Sequence, residues 1–254
     1  MTRTYAAEAV ILKTTNFGEA DRLITFLSKY KGKFTAIAKG VRKIASRRGP
    51  NLALLNHVKA YFAKGKNLDV VTEVETLHTF KNAKEDLKKV GSGFHIAEVT
   101  NEFLADGQGG RGVFDLLLFC LQLLDGEKNL ENVSKILRTF EVKFLDLVGF
   151  KPQLRRCVRC DRIIIEAENN FLSPQLGGVL DNKCASGSLF AKPISINAIK
   201  ALRFLQEEDW PKLDKFPIRG SLDQEIGRQT RYYIEYILEK ELKSVKFLEK
   251  IAQY

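Results

Sequence analysis

The sequence predicts an α+β chain: a five-stranded barrel over residues 1–81, then an α-helical domain over 82–254 that carries a zinc-ribbon-like cysteine segment at 151–193. Three observations predict it. Period-two alternation of apolar and polar residues recurs through the first 76 positions. From Asn82 onward apolar residues recur at three- and four-residue steps. A C-x2-C pair then opens a polar insert between two helical blocks. The two periodicities are those of half-buried strands and amphipathic helices.

Tyr5 to Lys13 is rich in β-formers and ends near the turn signal Asn16-Phe17-Gly18. Arg22 to Ser28 is a run of apolar residues that fits a strand or a short helix. Lys33 to Lys39 alternates with Phe34, Ala36 and Ala38 on one face. His57 to Ala63 and Leu68 to Thr76 alternate again, and Lys64-Gly65-Lys66-Asn67 between them is a hairpin signal. Five short strands in this length suit a closed barrel of the OB type, whose strand face and loops bind oligonucleotides. A small open sheet or an SH3-like barrel would show the same alternation.

Helical patterns follow at Lys84–Phe103, Val113–Leu124 and Asn132–Val148, the last stopped by Gly149 and Pro152. The glycines of 107–112 resemble a phosphate cradle, but the Gly-Lys-Ser/Thr ending is missing and no strand precedes them, so a plain interhelix loop is expected. Helices resume at Ser195–Gln206 and, after a loop from Trp210 to Gly220, at Ser221 to Ile251.

Charge is unevenly spread. Of the formal net +10, residues 1–82 hold fifteen Lys/Arg against six Asp/Glu, and the rest of the chain is nearly neutral. From Arg22 to Leu68 there are twelve Lys or Arg and no acid. The one-signed field expects a polyanion, and the strand-like setting of the bases favours nucleic acid over a membrane surface. The candidate contacts are Arg22, Lys31, Lys33, Lys39, Arg42, Lys43, Arg47, Arg48, Lys59, Lys64 and Lys66. Aromatics can stack on bases. Tyr61 is the candidate for that role, Tyr30 remains open, and Phe34 and Phe62 are assigned to the core by their alternation with alanine and valine. No run of eighteen apolar residues and no signal-peptide core occur, so a cytoplasmic protein is expected.

Cys157, Cys160 and Cys184 suggest three of the four ligands of a zinc ribbon, with glycine at the expected fourth position, Gly187. Zinc held by three thiolates plus Asp161, Asp181 or water, a ribbon that has lost its metal, and cysteines that serve as small buried hydrophobes all remain open. Cys120, inside Leu116–Leu121, belongs to the core. Walker, HExxH, GxSxG and dinucleotide motifs are absent, and His57, His78 and His95 lack metal-ligand spacing, so no catalytic residue is assigned.

Glu8-Ala-Val-Ile-Leu-Lys13, Asn16-Phe-Gly-Glu-Ala-Asp-Arg-Leu23, Lys31-Gly-Lys33 and Ala38-Lys-Gly-Val-Arg-Lys43 together resemble the N-terminal signature of the bacterial recombination mediators of the RecO family. The C-x2-C insert and Phe171-Leu-Ser-Pro174 with Gly177-Gly178 extend the resemblance over the whole chain. It departs at Gly187, where many members carry a fourth cysteine. The resemblance implies a non-catalytic DNA repair protein that binds single- and double-stranded DNA and anneals complementary strands. It also implies help in loading the RecA recombinase onto strands coated by single-stranded DNA-binding protein. The implied partners are RecR, in some pathways RecF, and the acidic C-terminal tail of the single-stranded DNA-binding protein. Two rivals read from the residues are an RNA- or ribosome-associated OB protein and an adaptor for acidic protein tails.

Overall fold

The computed structural model describes residues 4–44, 46, 48–165 and 169–251. It divides into two compact units, one of Met1–Glu127 with Lys243–Tyr254 and one of Lys128–Leu242.

In the first unit five strands, β1 (Thr4–Phe17), β2 (Asp21–Ser28), β3 (Gly32–Ala38), β4 (His57–Ala63) and β5 (Asp69–His78), close a barrel in the order β1-β2-β3-β5-β4. Every pairing is antiparallel except β3 with β5. This is the expected OB-type barrel. Its interior is built by alternation: Ala9, Ile11, Ile24, Phe26, Phe34, Ala36, Val58, Ala60 and Phe62 form one buried cluster. Phe26, Phe34 and Phe62 pack ring to ring at 5.2–5.4 Å between centroids, so both phenylalanines assigned to the core are there. Burying three such rings contributes roughly 2–3 kcal/mol each by area removed from water.

The ambiguous run at 22–28 is a strand. Its second half is buried because helices α2 (Leu87–Phe103) and α3 (Gly110–Gly126) pack on the barrel, and a strand covered on both faces loses its alternation. The same covering explains the unbroken apolar run Ala9–Leu12 in β1. α2 is preceded by α1 (Lys81–Glu85), a separate turn of helix where one continuous helix was expected from Lys84; extended Asp86 interrupts it and caps α2 by accepting from the Lys89 N–H.

The glycine-rich loop between α2 and α3 is an interhelix loop with a structural task. Gly107 N–H donates to the Lys33 carbonyl and Lys33 N–H to the Gln108 carbonyl, both at 2.7 Å. Gly32, at φ +71°, is needed there, because a Cβ would lie 2.4 Å from the Gln108 oxygen. Cys120 is fully buried in α3.

The second unit contains α4 (Glu131–Leu147), a three-stranded sheet of β6 (Asn170–Ser173), β7 (Gly178–Asp181) and β8 (Lys192–Ile194), and helices α5 (Asn182–Ala185), α6 (Ile196–Glu207), α7 (Trp210–Leu213) and α8 (Gly220–Leu238). α4, α6 and α8 pack on one another through Phe140, Phe144, Ile199, Leu202, Ile226 and Ile234. The turn between β6 and β7 is made by Pro174–Gly177. α9 (Lys243–Ile251) is separate from α8, where a single helix was expected from Ser221 to Ile251. Glu239 adopts φ +51°, a left-handed cap that ends α8. α9 packs on α2 within the first unit, held by Glu98 accepting from the Lys243 and Ser244 N–H groups. Among the described residues no helix is long and apolar enough to cross a membrane.

Candidate nucleic-acid interface and cysteine cluster

The eleven candidate cations separate in three dimensions. The β1–β2 turn (Gly18–Ala20) and the loop after β3 meet at one end of β2. There Asp21 Oδ1 accepts from Gly40 N–H at 2.7 Å and the Arg42 N–H bonds the Ala20 carbonyl. Arg22, Lys39, Arg42, Lys43 and Arg48 collect at this end, accompanied by Glu19 and Asp21. Lys39, Arg42 and Lys43 are exposed. Arg42 Nη1 bonds the Gly18 carbonyl at 3.0 Å, which fixes its guanidinium on the turn. Arg22 Nε contacts Asn16 Oδ1 at 3.4 Å. Arg48 points inward, donating to the carbonyls of Lys39, Val71 and Thr72, so it ties the loop to β5. Arg47 lies outside the described residues.

Lys31, in the turn after β2, and Lys64, in the turn after β4, converge at a different place. They surround Asp69, at 3.2 and 3.4 Å, and Lys31 Nζ also lies over the rings of Tyr5 and Phe34. Tyr5 donates to Asp69. Burial pushes the Asp69 carboxyl up, but the hydrogen bonds from Tyr5 and Lys31, the Lys31 charge and the Gly65 N–H outweigh it and hold its pKa at about 2. Burial, then the bond to Asp69 and its charge, raise the Tyr5 hydroxyl above its ordinary value. Lys66 is exposed in the β4–β5 turn.

Lys33 Nζ donates to the Asn101 carbonyl at 2.8 Å. Burial lowers its pKa, opposed by Asp106 and Glu102. Lys59 and Tyr61 share the outer face of β4, cross-strand from Glu8 and Ala6 on one side and Glu75 and Glu73 on the other. The apparently acid-free window thus ends one residue before the strand that returns its acids.

One exposed aromatic escaped the sequence reading. Phe17, at the end of β1 beside the Gly18 turn, is 49% exposed, and Ile44 in the basic loop is wholly exposed. The signal was present in Asn16-Phe17-Gly18, read only as a turn. Tyr30 is 80% exposed on the β2–β3 turn. The outer face of β2 and β3 carries Leu23, Thr25, Thr35 and Ile37, in register and uncharged.

In the second unit, one ligand atom from each of Cys157, Cys160, Asp181 and Cys184 lies within 4.8 Å of the others. The C-x2-C turn is held by the Cys157 N–H bonding the Arg162 carbonyl and the Asp161 N–H bonding the Cys157 carbonyl. The Val158 N–H docks it onto β7 at the Val179 carbonyl. Asp181 ends β7 and Cys184 lies in the short α5 that follows. The Cys160 thiol donates to Asp181 Oδ2 at 3.0 Å and the Cys184 N–H to Asp181 Oδ1 at 2.8 Å. The Cys160 bond is the main cause of a depressed Asp181 carboxyl, aided by Cys184 and Arg162. Burial raises the Cys157 thiol, but N–H groups of Asp181, Arg159 and Cys160 outweigh it and keep it below the ordinary value. Burial and neighbouring Cys160 and Cys157 push Cys184 up to about 12. Three sulfurs and a carboxylate are a donor set that zinc accepts, so the residues present fit such a metal. Asp161, one of the donors considered, has an exposed carboxylate paired with Arg156 at 3.2 Å.

Comparison with known proteins agrees with this architecture. Residues 1–80 match the family model for the recombination protein O N-terminal domain, and residues 84–246 match that for its C-terminal domain. Three relatives, each called DNA repair protein RecO, are similar over nearly the full chain. That of Roseiflexus sp. (strain RS-1) is 33% identical, covering 99% of this chain and 87% of the relative. That of Dehalococcoides mccartyi (strain ATCC BAA-2266 / KCTC 15142 / 195) is 32% identical over 98% and 96%. That of Symbiobacterium thermophilum is 30% identical over 97% of each. The chain belongs to the RecO family of DNA repair and recombination proteins.

Proposed function

We propose that the chain is a non-catalytic recombination mediator that binds single- and double-stranded DNA, anneals complementary strands and helps load the RecA recombinase onto DNA coated by single-stranded DNA-binding protein. Residues 1–81 serve as the nucleic-acid module and 82–254 as the part that meets RecR, RecF and the acidic tail of the single-stranded DNA-binding protein. The observation that carries the DNA reading is the cationic end of the barrel, where exposed Lys39, Arg42 and Lys43 flank exposed Phe17 and Ile44. Bases stack on Phe17 while the cations neutralise phosphates, a pairing that favours single strands without reading sequence. Lys64 and Lys66, exposed in the β4–β5 turn, are further phosphate contacts on this reading. Lys31, Lys59 and Tyr61 are secondary contacts on this reading, since acids stand beside each. Cys157, Cys160 and Cys184 hold zinc, which braces the insert.

The test is strand annealing of complementary oligonucleotides, bare and coated with single-stranded DNA-binding protein. Acceleration in both states is expected. Failure on bare DNA, with tighter binding to RNA than to DNA, would replace this reading with the RNA-associated one. Displacement of all nucleic acid by an acidic peptide that binds the barrel would favour the adaptor.

A further inference from the structure

We infer that Asp181 is the fourth zinc ligand and that position 187 supplies none; this rests on the zinc reading proposed above. A tetrahedral zinc with sulfur bonds of about 2.3 Å sets ligand–ligand edges near 3.7 Å. In a four-atom cluster confined within 4.8 Å the longer edges therefore shorten, and the 3.0 Å edge between Cys160 and Asp181 opens by less than about 1 Å to admit the ion. Asp181 is 3% exposed at the end of β7, and its two oxygens are differentiated. Oδ1 is fixed by the Cys184 N–H at 2.8 Å, while Oδ2 faces the Cys160 sulfur at 3.0 Å. A carboxylate oriented by a backbone donor through one oxygen presents the other to a metal, as outer hydrogen bonds do at metal sites generally.

Gly187 is placed differently. Its backbone sits at φ +78°, and a Cβ built on it meets no atom within 4 Å. A side chain there would be strained and would start in open space. Three thiolates and a carboxylate carry four negative charges against the two of zinc. Arg162 lies 2.9 Å from Asp181 Oδ2, and Arg159 donates to the Cys184 carbonyl at 2.8 Å, so two guanidiniums stand beside the excess. Replacing a thiolate by a harder oxygen donor weakens zinc binding relative to a four-cysteine ribbon.

The experiment measures zinc content and competitive zinc affinity of the full chain, with cobalt(II) as the optical probe. The wild-type chain, Asp181→Asn, Asp181→Cys and Gly187→Cys are compared, with circular dichroism to confirm folding. The wild type is expected to hold about one equivalent and to show a three-thiolate cobalt spectrum. Asp181→Asn keeps an oxygen for the Cys184 N–H but loses the anionic donor, and its affinity falls at least about tenfold. Asp181→Cys binds more tightly and gains the fourth sulfur-to-cobalt contribution, whereas Gly187→Cys leaves the spectrum unchanged. Wild-type-like affinity and spectrum in Asp181→Asn, or a four-thiolate spectrum in Gly187→Cys, overturns the assignment of Asp181 while leaving zinc in place. Less than about a tenth of an equivalent in the wild type overturns the zinc reading itself, and this assignment with it.

Discussion

Replacing Lys39, Arg42 and Lys43 together by alanine should change how DNA affinity depends on salt more than it changes the fold. All three side chains are exposed, and among the described residues the side-chain hydrogen bond lost is from Arg42 to the Gly18 carbonyl, also exposed. The stability change per site is therefore expected to stay within about 0.5 kcal/mol. On single-stranded DNA each neutralised phosphate contributes about 0.7 to the slope of log affinity against log salt. Losing three such contacts lowers the slope by about 2. Between 50 and 200 mM salt the wild type should then lose about twentyfold more affinity than the variant. Fluorescence anisotropy with a labelled oligothymidine, titrated at several salt concentrations, measures both slopes. A variant whose slope stays within about 0.5 of the wild type would show that these cations do not touch phosphate, and the proposed interface would move elsewhere.

Arg48→Ala and Lys33→Ala should behave in the opposite way. Each removes donors from backbone carbonyls, costing roughly 1–3 kcal/mol in denaturant unfolding while leaving the salt slope near wild type. Phe62→Ala, which empties the centre of the aromatic cluster, should cost about 3–5 kcal/mol in the same assay. Phe17→Ala should weaken binding to single strands by about 1–3 kcal/mol and leave the salt slope unchanged; an equal loss on duplex DNA would contradict a stacking role. Asp69 has a folded pKa of about 2, below that of an unfolded aspartate, so its stabilisation is complete above pH 4 and is lost as the pH falls through 2. That loss amounts to about 2 kcal/mol, and Asp69→Asn should flatten this part of the acid unfolding profile.

The barrel was legible because its evidence is local. Phe34, Ala36 and Ala38 alternate with Thr35 and Ile37 within seven residues, and a strand with one face on a core needs no partner to announce itself. Legibility failed where a second layer intervened. At Ile24–Ser28 the helices above β2 bury the outer face as well, erasing the period that separates strand from helix. The split between α8 and α9 hangs on the left-handed Glu239, a residue with no glycine signal to mark the stop.

The candidate site divides along the same line. Sequence alone determined that the N-terminal third is cationic and that three cysteines lie where a metal ribbon would be, because charge and spacing are properties of the string. Tertiary structure decided what each cation does. Strand β5 pairs with both β3 and β4, bringing Asp69 to Lys31 and Lys64, and Glu73 and Glu75 beside Tyr61 and Lys59. Arg48 and Lys33 are spent on carbonyls 23 and 68 residues away. Exposed Lys39, Arg42 and Lys43 are gathered around Phe17 while Lys66 stands exposed in the β4–β5 turn, and the oxygen that faces the thiols comes from Asp181, 21 residues after Cys160. Coulomb attraction and hydrogen bonding act over a few ångströms of space and not along the chain, so only the closed barrel and the folded ribbon could sort these residues.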